Sequence, residues 1–480
     1  MISTPSRPAL PVQIKLAVDE RPAELEVTLV IPSDPPKLEE PTSTGEYLLS
    51  RKEGRNCLSV SLGKPDKINL ETYRKAGGSI GKWLVNHPVK TVDLTTQWLY
   101  EKEKFDALNA LLEGILLGAY QFHRYKQDHS TQSPITLFLR PKELSEGLEK
   151  VIERLIIMAQ SVYLARDWAH EPANVINPIS LAEWTQTLAV DNGLKCTILD
   201  ETALAEIGAG GILAVGKGSQ TPSRMIILEY QGDHSGSSPI VLAGKAITFD
   251  TGGYSLKDTT NIQGMKYDKC GGIAVIATLQ AISQLKLPVN VVGIIGAAEN
   301  MISSTAYRPD DILTTLSGKT VEVISTDAEG RLVLADVLTY AQKHYNPSAI
   351  VDLATLTGGV IVALGRVFGG IMGNSRELIQ NLIQSGETTG ERLWQLPLDE
   401  EYLQALKGDD ADLKNSGGRE GHAILGGIFL QQFVENDIPW AHIDIAGVAS
   451  TPKDLPYIPK GPSGFGVRLL LEFLEKSKPV

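Results

Sequence analysis

Four long apolar runs recur in the C-terminal two-thirds of the 480-residue chain: PIVLAGKAITFD, PVNVVGIIGAAEN, AIVDLATLTGG and WAHIDIAG. Helical segments separate them. Runs that stay apolar without alternating are buried on both faces, which predicts a largely parallel sheet inside an α/β layer. Each run ends in polar or glycine-rich sequence, where open parallel sheets gather their functional loops. Upstream, ELEVTLVI, NCLSVSLG and ITLFL read as strands, and residues 31–46 as a surface loop. Residues 105–125 put Phe105, Leu108, Leu111, Leu112, Ile115 and Leu116 at helical spacing. A helical pattern over 146–169 runs into ARDWAHEPANVINP, where Pro172 and Pro178 break it. Ser180 with Glu183 predicts a capping box opening the next helix. The expected architecture is α/β. An N-terminal mixed α/β domain, residues 1–160, ends in a linker helix, and a larger C-terminal α/β/α domain, residues 161–480, carries a mostly parallel central sheet.

Composition narrows the function. No apolar run reaches the roughly 18–20 residues that span a bilayer, and the first twenty residues have too little uninterrupted apolar sequence for a secretory signal. The net charge is −12 without a dense Lys/Arg run, which disfavours nucleic acid and anionic membranes as partners. Three dispersed cysteines, Cys57, Cys196 and Cys270, fit a reducing, cytoplasmic setting rather than a disulfide framework. There is no CxxC and no HExxH, so the standard zinc signatures are missing.

Two segments carry candidate chemistry. In GKAITFDTGGYSLKDTTNIQGMKYDKCGG, Lys245 lies inside an apolar strand, Asp250 at its end, Lys257 in a polar loop and Asp268 before a helix. Each has a bland alternative: an edge lysine, a turn aspartate, a solvated lysine, a helix N-cap. Cys270 reads as a packing residue. In VISTDAEGRLVLADVL, Thr326 to Glu329 match a capping box. If that stretch is extended, Asp327, Glu329 and Arg331 share one side. Together the segments can bring Asp250, Asp268, Asp327 and Glu329 to adjacent strand ends. Four such carboxylates cannot all stay ionised unaided. Two divalent ions would balance them, with oxygen ligation suited to Mn²⁺ or Mg²⁺ and Zn²⁺ as an alternative. Lys245 could join as a ligand only when neutral, a state favoured by burial and a nearby dication. Lys257 and Arg331 then remain to stabilise negative charge.

These residues resemble the leucine aminopeptidases, the dinuclear-metal cytosol aminopeptidase family. The likeness covers about residues 160–478 and rests on GKAITFDTGGYSLK, MKYDKCGG and STDAEGRLVLADVLTYA, with ARDWAHEPANVINP, GILAVGKGS, RPDDILTTLSGKTVEV, DLATLTGG, ADLKNSGGR and WAHIDIAG in order. The resemblance implies that Asp250 and Glu329 bridge two metal ions. Lys245 and Asp268 complete the tighter site, and Asp327 the looser one. Lys257 and Arg331 match the catalytic pair, the arginine holding bicarbonate as proton shuttle. Met265, Thr355, Leu356 and Gly358 match substrate contacts. It further implies release of single N-terminal residues from peptides with a leucine-type preference, and a homohexamer. A narrow dipeptidase, for example on Cys-Gly, and a non-catalytic structural homologue are the alternatives. Ser325, Asp310, His170 and Gly359 depart from the usual Asn, Gly, Asn and Ala of the family.

Overall fold

The computed structural model describes all residues except 1–7, 18–22, 34–39, 53, 96, 102–103, 128–132, 142–145, 436 and 478–480. Part of the expected loop at 31–46 therefore lies outside the described residues. Among the described residues the chain forms two compact units, one within 8–163 with 451–461, the other within 164–450 with 462–477. The division falls inside the helix Glu146–His170.

The first unit is built on strands β1 (Val12–Leu16), β2 (Leu25–Val30), β3 (Tyr47–Lys52), β4 (Arg55–Ser61), β5 (Thr91–Leu94) and β6 (Ile135–Leu139). Their order is β1-β6-β5-β2-β4-β3, all neighbours parallel except β3 with β4. The helices Leu70–Val85 and Phe105–Gly118 pack along a glycine seam. A Cβ at Gly77, Gly81 or Gly114 would come within about 2 Å of a carbonyl oxygen of the facing helix, so only hydrogen atoms fit there. The second of these helices stops at Gly118, short of the 105–125 expected, where its apolar repeat gives out.

The second unit contains β7 (Lys195–Leu199), β8 (Arg224–Gln231), β9 (Ile240–Asp250), β10 (Asn290–Asn300), β11 (Ile312–Thr314), β12 (Thr320–Glu322), β13 (Ala349–Ala354), β14 (Gly369–Gly373), β15 (Leu393–Gln395), β16 (Leu413–Lys414) and β17 (Trp440–Asp444). Eight form one sheet in the order β15-β14-β17-β13-β9-β10-β8-β7. The four apolar runs of the sequence are its central strands β17, β13, β9 and β10, all mutually parallel. The flanking β8 and β14 run antiparallel to β10 and β17. Both faces are covered. A Cβ at Gly293 would lie 3.0 Å from Val275 of the helix Cys270–Leu285, and one at Gly296 2.4 Å from Val333 of the helix Glu329–Tyr345. Positions an odd number apart face opposite sides of a strand, so the two helices sandwich the sheet.

Two expected helix starts differ from the structure. The helix Pro178–Asp191 is capped by Asn177, whose Oδ1 accepts from Ile179 and Ser180 N–H while Ser180 Oγ accepts from Asn177 N–H. Ser180 is thus the third helical residue and not the cap, because Pro178 already fits the first helical position. The helix Glu329–Tyr345 begins after Ala328 with no side-chain cap. Thr326 does not cap it: its hydroxyl donates to Gly252 O at 2.6 Å and accepts from Ser255 N–H at 2.7 Å, latching this segment to the loop after β9. Asp327, Glu329 and Arg331 therefore do not line an extended edge; the last two belong to the first helical turn.

Candidate functional site

The parallel register brings the carboxyl ends of β9, β10, β13 and β17 to one edge, with Asn300 opposite Asp250 and Ala354 opposite Asp444. Asp250 closes β9. Its Oδ1 accepts from Asn300 Nδ2 and from Gly252 N–H, both at 2.8 Å, which turns Oδ2 toward Lys257 Nζ at 2.6 Å. Asp327 and Glu329 arrive from the start of their helix. The carboxylate oxygens of Asp250, Asp327 and Glu329 lie within 4.8 Å of one another, an arrangement able to hold a metal ion. Lys257 Nζ bridges Asp250 and Asp327. Glu329, placed in the first turn, also sits where the helix dipole favours a negative charge.

Asp268 stands outside that trio but joins it through Lys245. The Lys245 ammonium is 2.7 Å from Glu329 Oε1, 2.8 Å from Asp268 Oδ2 and 2.9 Å from Thr355 O. Thr355 Oγ1 donates to Asp268 Oδ1 at 2.6 Å. Lys245 reaches this position because residue 330 has no side chain: a Cβ there would lie 2.5 Å from its Cε and 2.6 Å from its Nζ. Glu329 Oε2 is buried and, among the described residues, has no hydrogen-bond partner.

Burial governs the electrostatics. It raises the pKa of Glu329, with Asp250 adding to the shift, and raises that of Asp327; it lifts Asp268 to about 7 although Lys245 opposes it. Burial disfavours the Lys245 ammonium, but Asp268, Glu329 and Asp250 together outweigh it and the lysine stays charged. Neutral Lys245, as ligation requires, is thus not the state of the metal-free chain; a dication among the same carboxylates would reverse the balance. Arg331 is buried, donates from Nη1 to Asn415 O at 2.8 Å, and has Cζ 5.9 Å from the Phe429 ring centroid. Burial lowers its pKa to about 10 against the pull of Glu329 and Asp444, and its Nε has no hydrogen-bond partner among the described residues.

These groups line a cavity of about 1100 Å³ together with Met265, Thr355, Leu356 and Gly358, so all eleven residues singled out in the sequence meet at one place. Cys270 is apart from the chemistry: it is buried, and burial pushes its thiol up to about 12. Asp310 has φ +72°, the left-handed conformation that a glycine there would supply. Ser325 Oγ accepts from Asp327 N–H at 3.2 Å, and Asn415 holds the Ser325 main chain on both sides. His170 O accepts from Lys266 Nζ at 2.5 Å. Asn300, Asn415 and Gly330 were not picked out by residue type. Their signals lay in plain view: the end of the AAEN run, the NSGGR motif, and the glycine between Glu329 and Arg331.

Comparison with known proteins puts the chain among the peptidases. Residues 163–471 match the catalytic domain, and residues 47–129 the N-terminal domain, of the cytosol aminopeptidase family. The chain belongs to that family. It is 46% identical to a probable cytosol aminopeptidase of Syntrophotalea carbinolica, over 77% of this chain and 75% of that one. It is 45% identical to the corresponding protein of Roseiflexus castenholzii, over 88% and 87% of the two chains. Among solved structures it is similar to the bottromycin maturation enzyme BotP in complex with Mn, with TM-score 0.86, 31% identity, and coverage of 95% of this chain and 99% of that one. Membership supports aminopeptidase activity, a hydrolase reaction. Among the described residues no helix is long and apolar enough to cross a membrane.

Proposed function

We propose that the protein is a metal-dependent aminopeptidase that releases single N-terminal residues of leucine type from peptides, using two divalent ions per subunit, Mn²⁺ first and Zn²⁺ or Mg²⁺ as alternatives. The observation that carries this reading is the convergence of Asp250, Asp327 and Glu329 oxygens within 4.8 Å, with Glu329 Oε2 buried and unpartnered. Buried acceptors without donors fit a cation. Asp250 and Glu329 would serve both ions, Lys245 and Asp268 one, Asp327 the other. When bound, the ions supply Lewis-acid polarisation and a water poised for attack.

The chain's own groups account for the rest. Asn300 and Gly252 N–H fix Asp250, and Thr355 fixes Asp268, so the carboxylates are oriented before any ligand arrives. The acidic floor complements the free α-amine of a peptide N-terminus. Met265 and Leu356 wall the cavity beside it and favour an apolar first side chain. Lys257, at the mouth of the cluster, stabilises charge developing on the carbonyl oxygen. Arg331, a buried cation with a free Nε, suits a small anion such as bicarbonate acting as proton shuttle. The likeness to BotP supports a second reading, an enzyme dedicated to maturing one peptide. A homohexamer in the cytoplasm completes the proposal, and light scattering checks its assembly. The test is hydrolysis of leucine amide by Mn²⁺-loaded protein, abolished by chelation. A fully loaded sample without turnover on a panel of N-terminal residues and dipeptides, Cys-Gly included, overturns it.

A further inference from the structure

Asp444 closes β17, opposite Ala354 at the end of β13. It is fully buried and stands outside the acidic cluster. Both of its carboxylate oxygens are spent on the turn that leaves β13. Oδ1 accepts from Leu356 N–H at 3.1 Å, and Oδ2 from the Thr357 hydroxyl at 2.6 Å. Oδ1 also accepts from Ala446 N–H at 3.2 Å, which holds the carboxylate itself. The Thr357 hydroxyl accepts in turn from Val360 N–H at 3.1 Å, capping the helix Gly358–Leu364. Its one proton goes to Asp444 and a lone pair to that helix, so the hydroxyl has a single orientation. On the helix His422–Gln431, a Cβ at Gly426 would lie 3.0 Å from the Leu356 and Thr357 side chains. The turn thus rests on a bare position of that helix and is tied down by the buried carboxylate.

The tied turn has two duties at the site. Thr355 O accepts from Lys245 Nζ at 2.9 Å and Thr355 Oγ1 donates to Asp268, while Leu356 lines the cavity. We propose that Asp444 is a positioning residue that sets where the Leu356 wall stands, and with it the preference for the first side chain of the substrate; the proposal rests on the aminopeptidase reading. Asp444 acts through the Leu356 main chain and the Thr357 hydroxyl. Hydrogen bonds to an ionised carboxylate are shorter and stronger than neutral ones, and here each oxygen serves one of two neighbouring residues of the turn. An amide of the same size has one acceptor oxygen for these two donors. Its NH₂ would face the Leu356 N–H or displace the donation from Thr357, so it cannot hold both. Loss of either contact frees the turn to shift, and a shifted Leu356 no longer fits against a branched apolar side chain. An alanine side chain, too short to reach that wall, loses less.

The experiment compares Mn²⁺-loaded wild type, Asp444→Asn, Thr357→Val and Thr357→Ser on leucine and alanine p-nitroanilides, with thermal unfolding and bound metal measured on each. In Asp444→Asn and Thr357→Val the leucine-over-alanine ratio of kcat/KM should fall about tenfold, the low end of what fit to an apolar pocket is worth. Thr357→Ser keeps the hydroxyl and should keep the ratio. Thr357→Val leaves the charge of Asp444, which acts on Arg331, in place, so it separates the turn from the electrostatics. It also decides alone if Asp444→Asn does not fold. A wild-type ratio in Thr357→Val overturns the proposal, as does a serine variant altered as much as the valine one. Earlier unfolding with an unchanged ratio assigns Asp444 to stability alone and overturns it too. A wild type that cleaves both substrates equally leaves Leu356 nothing to set; the proposal then falls and the aminopeptidase reading stands. Absence of wild-type turnover on either substrate overturns that reading itself, and this proposal with it.

Discussion

Gly330→Ala tests whether the buried lysine is essential to the centre. The new Cβ would stand 2.5 Å from Lys245 Cε and 2.6 Å from Nζ. The chain end of a lysine usually swings aside at small cost. Lys245 is 2% exposed and its ammonium is fixed by Glu329, Asp268 and Thr355 O at 2.7–2.9 Å, so swinging aside breaks at least one of these contacts. A hydrogen bond to a charged group is worth about 1.5–3 kcal/mol. Alanine regains at most about 1 kcal/mol of helix propensity, leaving a net loss of about 0.5–2 kcal/mol at the site. That loss falls on the stability of the metal-free protein; because the same shift takes Lys245 Nζ from the position a ligand needs, apparent Mn²⁺ affinity and kcat should both fall as well. Titration calorimetry on metal-free protein and turnover of leucine p-nitroanilide measure the two effects. Gly147→Ala, in a helix where the new Cβ meets nothing nearer than 3.8 Å, is the control and should leave both unchanged. A Gly330→Ala protein that binds Mn²⁺ and turns over like wild type refutes the claim that Lys245 must occupy this position.

Lys257→Ala and Arg331→Ala should each lower kcat by about 10²-fold or more, the range for removing a group that stabilises transition-state charge, with circular dichroism unchanged; wild-type rates in either reject the assigned role. Asp336 is buried, and burial raises its pKa to about 7 although Leu316 and Ile212 N–H donate to it at 2.7 and 2.9 Å. Its folded pKa exceeds the unfolded value near 3.9, so its contribution favours folding at low pH and is lost as pH rises from about 4 to 7. Urea denaturation of metal-free protein should therefore show a steeper fall over that window in wild type than in Asp336→Asn; equal slopes contradict this. Asp310→Gly should be neutral or up to about 1 kcal/mol stabilising, whereas a β-branched valine at the same φ of +72° should destabilise by about 1–3 kcal/mol. Thermal unfolding of both variants checks the sign.

The chain by itself determined the central strands, because burial on both faces writes an uninterrupted apolar run that needs no knowledge of neighbours. It also singled out the ionisable residues that the fold gathers at one cavity, since Lys245, Asp250, Lys257, Asp268, Asp327, Glu329 and Arg331 stand in and after such runs in a recognisable order. Local patterns misled at both helix starts. The hydroxyl of Thr326 is taken by a loop about seventy residues away, and the cap before Ser180 is Asn177. The antiparallel neighbours β8 and β14 and the sheet order were not legible, because strand pairing depends on contacts far apart in sequence. Only the tertiary structure joined Asn300 to Asp250, Gly330 to Lys245, and Asp444 to Thr357. Each pair is a matter of shape: one residue holds an orientation or leaves a space that the other needs. Composition and periodicity record burial and charge, but not which distant backbone makes room for a given side chain.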